Sequence, residues 1–375
     1  MARIPLPAHC VVLIVGGKQA AFGQAAAEVP QSAVAPWDVQ KPALSLERLH
    51  DALGDSRLVR VCMPNSNAKA RKAVAAAAHR RGARCICLRL PGSPEVDATS
   101  EKIDASYDIA DPALLEFELI PMPSDRTHLT GPFDIIGDVH GCADELLDLL
   151  SLLGHLDEGG RPRPHPGGRI AILLGDLTDR GPQNRRVLEV ARSLSDVGGL
   201  VLRGNHDEKL RRWLLGKTIQ MKSGLDVTVQ ELSDTSEDWR QEMAGWISTL
   251  EPHLMLDGGR LAVAHAGIDE EHQGRHTSGA TSFALYGKPV AGGTEVDEEG
   301  YPLREDWART YAGAATVVHG HVVYDEPRIV GNVVSIDTGC VHGGRLTAYR
   351  WPEKTFVSVP ARAQYCVKHL TTPIA

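Results

Sequence analysis

Three short blocks gather carboxylate, imidazole and amide side chains: Gly137-Asp138-Val139-His140-Gly141, Gly175-Asp176-Leu177-Thr178-Asp179-Arg180-Gly181-Pro182 and Gly204-Asn205-His206-Asp207. His265 and His321 follow. Carboxylate oxygen with imidazole nitrogen suits Mn²⁺, Fe and Zn²⁺, whereas all-oxygen cages suit Mg²⁺ and Ca²⁺. Asp138 and His140 alternate at a strand end, so both face one side and can share an ion. Asp176 has two oxygens and can bridge two ions; Asn205 adds an amide oxygen, His265 and His321 two imidazoles. That set serves two ions about 3.5–4 Å apart, the spacing that activates water against phosphate esters. A single Asp before a helix is more often an N-cap, and a single His a packed polar residue. The convergence of three consecutive blocks is what points to a metal site.

The elements behind the blocks make that convergence physical. Each block directly follows an apolar run: Phe133-Asp134-Ile135-Ile136, Ile170-Ala171-Ile172-Leu173-Leu174 and Leu200-Val201-Leu202. Each precedes a helical pattern, and in sheets built from βαβ units ligands collect at the carboxyl ends of the strands. Ala143 to Leu153 predicts an amphipathic helix with a broad face of Leu146, Leu147, Leu149, Leu150, Leu152 and Leu153. Asn184 to Asp196 predicts the next helix, with Pro182 at its first turn. Leu261 to Ala264 and Thr316 to Val318 read as the strands delivering His265 and His321. Val333 to Ile336, Leu346 to Tyr349 and Phe356 to Val359 read as antiparallel closing strands. Gly216 to about Leu256 is helical but irregular, a cap over the site or simple structural padding, and Thr277 to Gly300 reads as a mobile polar loop.

These motifs, with His-Ala-Gly at 265–267 and Gly-His at 320–321, resemble the calcineurin-like metallophosphoesterases, in the phosphoprotein-phosphatase branch. The segments Ser335-Ile336-Asp337-Thr338-Gly339-Cys340-Val341-His342-Gly343-Gly344-Arg345 and Pro302-Leu303-Arg304-Glu305-Asp306-Trp307 are similar to the phosphatase module of bacterial polynucleotide kinase-phosphatases. The resemblance, over residues from about 133 to 360, implies a four-layer αββα sandwich. It implies a first metal held by Asp138, His140 and Asp176, and a second by Asp176, Asn205, His265 and His321. Arg180 would clamp the phosphate oxygens bidentately, with Asn205 and Arg304 also on the substrate. His206 would protonate the leaving oxygen, Asp207 fixing its tautomer, while hydroxide held by the metals attacks phosphorus in line. No covalent phospho-enzyme is expected. His319 falls where the family usually has an aromatic residue and is read as packing or support behind the ligands.

The N-terminal third is different. His9 to Val15 reads as a buried strand, Gly16-Gly17 as a turn and Gln19 to Glu28 as a helix. A catalytic P-loop requires G-x-x-x-x-G-K-[ST]; here no Lys follows Gly23 and no hydroxyl stands ready. The remainder resembles the kinase module of the same repair enzymes, eroded at Met63-Pro64-Asn65-Ser66-Asn67 and lacking any Arg between Pro91 and Asp111. Residues 1–128 are therefore expected to form a smaller α/β domain, a degenerate and inactive P-loop kinase-like fold. Residues 129–375 form the phosphatase domain, after the linker Pro121 to Pro132.

Composition narrows the class. Hydrophobic content of 42% and charged content of 23% are globular values, and a 375-residue chain suits two domains. A formal charge of −8 gives no global basic field for nucleic acid, although Lys209, Arg211, Arg212, Lys217 and Lys222 could form a local one. Seven irregularly spaced cysteines suggest reduced thiols and a cytoplasmic setting. No secretory leader or membrane span is expected.

The expected function is a binuclear phosphoesterase using Mn²⁺, or Fe, Zn²⁺ or Ni²⁺, on phosphate monoesters at nucleic-acid ends. The 3′-phosphate or 2′,3′-cyclic phosphate of RNA in repair is the leading substrate. Alternatives are a serine/threonine protein phosphatase or a dinucleoside tetraphosphate hydrolase and, from another class, a non-catalytic scaffold. No nucleotide cofactor is expected, and oligomeric state is left open.

Overall fold

The computed structural model describes residues 3–16, 19–29, 32–38, 40–55, 58–64, 66–290, 296 and 303–367. The chain forms two compact units, one of Met1–Pro123 with Gly274–Ala280, the other of Ser124–Gln273 with Thr281–Ala375.

In the first unit, β1 (Arg3–Pro7) precedes β2 (Cys10–Val15), β3 (Ala33–Pro36), β4 (Leu58–Met63), β5 (Arg84–Arg89), β6 (Ala105–Asp108) and β7 (Glu116–Ile120). The strands β3-β4-β2-β5-β6 lie parallel in that order, while β1 pairs with β7. β2 is buried along its whole length because helices cover both faces of a parallel sheet. Those helices are α1 (Gln19–Glu28), α2 (Pro42–Asp55), α3 (Ala68–Arg80) and the single turn α4 (Ala98–Glu101). Asn67 caps α3 by accepting from the Ala70 N–H. Cys85 and Cys87 are core residues. The Gly17-Lys18 part of the turn after β2 lies outside the described residues.

The second unit holds two five-stranded sheets. One has the order β10-β9-β8-β16-β17, from β8 (Phe133–Ile136), β9 (Ile170–Leu173), β10 (Leu200–Val201), β16 (Arg345–Trp351) and β17 (Thr355–Pro360). The other has the order β11-β12-β13-β15-β14, from β11 (His253–Leu256), β12 (Leu261–Ala264), β13 (Thr316–His319), β14 (Arg328–Val330) and β15 (Val333–Ser335). Strand alternation sends Phe133, Ile135, Ile172 and Leu174 to meet Leu254, Val263, Val318 and Val334, forming the core between the sheets. Their neighbours Ile136, Ala171 and Leu173 face outward onto α5 (Ala143–Leu153) and α6 (Asn184–Asp196). Phe283 of α10 (Ser278–Tyr286) packs with Trp307 and His319 on the other sheet, completing the expected αββα layering.

On α5, Leu146, Leu149, Leu150 and Leu153 are buried at helical spacing, each stabilising the fold by about 1.5–3 kcal/mol. Leu152 is 64% exposed, so the apolar face is narrower than the sequence suggests. Gly154, at φ 86°, ends the helix in the left-handed region that glycine adopts without strain. Two further expectations are corrected. Val333 to Ile336 does not close the structure in antiparallel fashion alone: β15 runs parallel to β13 and antiparallel to β14. Residues 278–286 are helix rather than loop, with much of 291–302 outside the described residues.

Candidate metallophosphoesterase site

The three blocks open at the carboxyl ends of β8, β9 and β10, and β12 and β13 bring His265 and His321 to the same place. The strands stop here because the backbone turns sharply. His140 (φ 44°), Asp176 (φ 45°), Asp179 (φ 73°), Arg180 (φ 70°) and His321 (φ 67°) all occupy the left-handed region, where non-glycine residues are strained. Two glycines make the close approach possible. A Cβ on Gly204 would come within 2.2 Å of Asp176 Oδ1, and one on Gly320 within 1.9 Å of Asp138 Oδ1.

Asp176 is the hub. Its Oδ2 lies 3.4 Å from His265 Nε2, 3.6 Å from His140 Nε2 and 4.0 Å from His206 Nε2, and its Oδ1 accepts the His206 N–H at 2.9 Å. Two triads with convergent donor atoms share it: His140, Asp176 and His206, and Asp176, His265 and His321. Asn205 Oδ1 is 2.8 Å from His265 Nε2, which is 3.2 Å from His321 Nδ1. Asp138 is buried and accepts the His321 N–H at 3.0 Å. Backbone carbonyls orient two rings: Nδ1 of His140 donates to Thr178 O and Nδ1 of His265 to Leu174 O, leaving each Nε2 turned inward.

The electrostatics follow from burying many ionisable groups together. Burial opposes ionisation of Asp176, but His265, His206 and His140 outweigh it and hold its carboxyl well below the usual range. Burial and the facing Asp337 carboxylate push Asp138 well above it. Burial lowers His265, yet Asp176 and Asp138 raise it to about 9. His140, His206 and His321 are pushed well down, chiefly by burial. His140 and His321 are thus neutral beside an ionised Asp176, the donor state that divalent cations require, whereas His265 and Asp138 must give up protons as a cation binds.

The residues around this centre differ from expectation in three places. The His206 ring is held by Asp179, Nδ1 to Oδ2 at 2.6 Å, and not by Asp207. Asp207 accepts the backbone N–H groups of Leu177 and Gly204 at 3.0 and 2.8 Å, and so ties the start of α7 (Asn205–Leu214) to the second block. Asp179 is itself fixed by Thr228, whose hydroxyl donates to Oδ1 at 2.6 Å from α8 (Leu225–Glu231). The irregular segment after Gly216 thus supports the site from behind. Asp337, in the loop after β15, is the other residue missed: it is buried, accepts from Gly339 N and faces Asp138. Its position after an apolar strand resembles that of Asp138 and Asp176, the one signal that could have found it.

Arg180 Nη1 lies 3.2 Å from His140 Nε2, so the guanidinium reaches the centre. His319 is buried against Trp307, with its Nε2 at 2.8 Å from Ser335 Oγ, away from the donor cluster. Arg304 pairs with Pro289 across a short antiparallel bridge.

The model for calcineurin-like phosphoesterases matches residues 131–367, the span holding all these groups. The chain belongs to that family. As a calcineurin-like phosphoesterase it is a metal-dependent phosphoric ester hydrolase. A bis(5′-nucleosyl)-tetraphosphatase PrpE of Halalkalibacterium halodurans is 43% identical over 235 residues, 61% of this chain and 94% of its own. The PrpE of Bacillus subtilis is 40% identical over 238 residues, 62% of this chain and 96% of its own. A crystal structure provisionally assigned as a diadenosine tetraphosphatase matches with a TM-score of 0.46 at 25% identity, covering 63% of this chain and 96% of that one. The family uses divalent metal ions, and the buried nitrogen and oxygen donors here fit such ions. When bound, such ions lower the pKa of water and neutralise charge on phosphate oxygens. No helix among the described residues is long and apolar enough to cross a membrane.

Proposed function

We propose that this phosphoesterase hydrolyses dinucleoside tetraphosphates asymmetrically, to a nucleoside triphosphate and a monophosphate. The observation that carries this is the naming of the relatives as asymmetrical tetraphosphatases at about 40% identity over nearly their whole length. RNA 3′-phosphate ends, the leading expectation from the motifs, gain no support from those relatives and give way to this substrate.

In this reading Asp138, His140 and Asp176 hold one Mn²⁺ ion, and Asp176, Asn205, His265 and His321 another. Arg180 grips the scissile phosphate through two N–H donors, which an ammonium cannot do. His206, neutral in the free site, would take up a proton on Nε2 as the anionic polyphosphate binds and, steered by Asp179, deliver it to the departing phosphate oxygen. The seven free cysteines suit a cytoplasmic setting. In this reading residues 1–128 are an inactive, kinase-like unit; the parallel sheet β3-β4-β2-β5-β6 supports the α/β class of that unit.

The test is product analysis with Mn²⁺ present. Diadenosine tetraphosphate should give equimolar ATP and AMP, faster than a 3′-phosphorylated RNA or a phosphopeptide releases phosphate. Two ADP, or a clear preference for the RNA, would overturn the assignment.

A further inference from the structure

One buried cluster is left unused by the phosphoesterase reaction. Cys142 caps α5 at its N-terminus and Glu145 stands three residues on, so both side chains project from the same side of the first turn. Cys340 reaches them from the glycine-flanked turn after Asp337, where Gly343 N donates to Cys340 O and Gly344 N to Gly339 O. All three are nearly inaccessible, with exposures of 1%, 1% and 2%.

Glu145 decides what the cluster is for. Its Oε1 is fully engaged, accepting the Arg362 N–H and the Tyr365 hydroxyl, each at 2.9 Å. Its Oε2 is buried without a hydrogen-bond partner among the described residues, and one of the two carboxylate oxygens lies close to both sulfurs. An orphaned buried carboxylate oxygen is costly, because it has given up water and gained no donor. A carboxylate oriented through one oxygen with the other bare is how a ligating carboxylate is normally held. The two sulfurs and a carboxylate oxygen lie within 4.8 Å of one another. Tetrahedral zinc with bonds of about 2.3 Å to sulfur wants neighbouring ligand atoms about 3.8 Å apart, so small side-chain rotations suffice.

We propose that Cys142, Cys340 and Glu145 form a binding site for one thiophilic divalent cation such as Zn²⁺, separate from the phosphoesterase centre. Binding releases both thiol protons to solvent, and the cation offsets two of the three negative charges on its ligands. Water takes the fourth position. The site joins the loop carrying Asp138 and His140 to the loop carrying Asp337, since Cys142 Sγ rests 3.6 Å from His140 O. Entry runs beneath residues 361–366, held over the cluster by Ala361 N to Gly344 O and by Tyr365 N and Cys366 N to Val341 O. The cation is therefore taken up during folding.

Cobalt distinguishes this site from the phosphoesterase centre, whose donors are nitrogen and oxygen only. The full-length protein, expressed with Co²⁺ as the sole added transition metal, should show sulfur-to-cobalt charge-transfer absorption in the near ultraviolet. Cys340→Ser should bind one ion fewer per chain and lose that absorption. If Cys340→Ser does not fold, Glu145→Gln decides: it keeps the packing volume, and the band should shift and Co²⁺ affinity fall at least tenfold. A cobalt-loaded wild type without the band, or a band unchanged in Glu145→Gln, overturns the proposal.

Discussion

The His206 ring donates a hydrogen bond to a carboxylate 27 residues back, Nδ1 lying 2.6 Å from Asp179 Oδ2, while Asp207 beside it accepts two backbone N–H groups instead. Consecutive residues on a helix point about 100° apart and do not face one another. The orienting group therefore had to come from another element. Asp179 fits that role because burial and Asp176 raise its carboxyl to about 6, countered by the Thr228 hydroxyl and His140.

Asp179→Asn should keep metal content and fold yet cut kcat on poor leaving groups by about 10²-fold or more, the usual worth of a positioned proton donor. Asp207→Asn should instead lower stability by about 1–3 kcal/mol, because it weakens the buried acceptor for Leu177 N and Gly204 N. Kinetics with thermal melts on both variants separate the roles. The reverse pattern would restore Asp207 as the partner.

Arg180→Lys should raise KM and lower kcat together, by at least tenfold in kcat/KM, since one ammonium replaces two parallel donors. Metal stoichiometry should not change, because no donor atom is lost. Kinetics indistinguishable from the wild type would remove Arg180 from the substrate.

Asp134 controls acid stability away from the site. Burial alone would raise its carboxyl; His155, Arg169 and Arg350 override that and hold it at about 2. A depressed carboxyl stabilises the fold above its ordinary value of about 4 and loses that contribution as pH falls through about 2. Asp134→Asn should cost about 3 kcal/mol or more at pH 7, where it strips a partner from buried Arg169. The gap from wild type should shrink between pH 4 and pH 2. Denaturant titrations at both ends of that range measure it, and a constant gap would contradict the assignment.

His321→Ala should lose bound metal, whereas His319→Ala should retain it and lose stability. The first has Nδ1 3.2 Å from His265 Nε2; the second packs on Trp307 at 5.3 Å between ring centres. Elemental analysis of the two purified variants decides between the neighbours.

Much of this protein was legible in its sequence because the signals are local. Apolar runs of three to five residues, followed by Asp, His or Asn, mark strands and what their ends carry, and Asp138, His140, Asp176, Asn205, His265 and His321 all converge in space. The two-residue alternation of β8 and β9 sets which side chains meet between the sheets. The tertiary structure alone decided the pairings across distance: Thr228 behind Asp179, 49 residues away, and Asp337 opposite Asp138. It also decided that the carboxylate of Cys142's helix turns toward Cys340. Spacing along the chain sets which face of an element a residue occupies. Which other face it meets depends on how helices and sheets pack, and that is settled by the whole core at once.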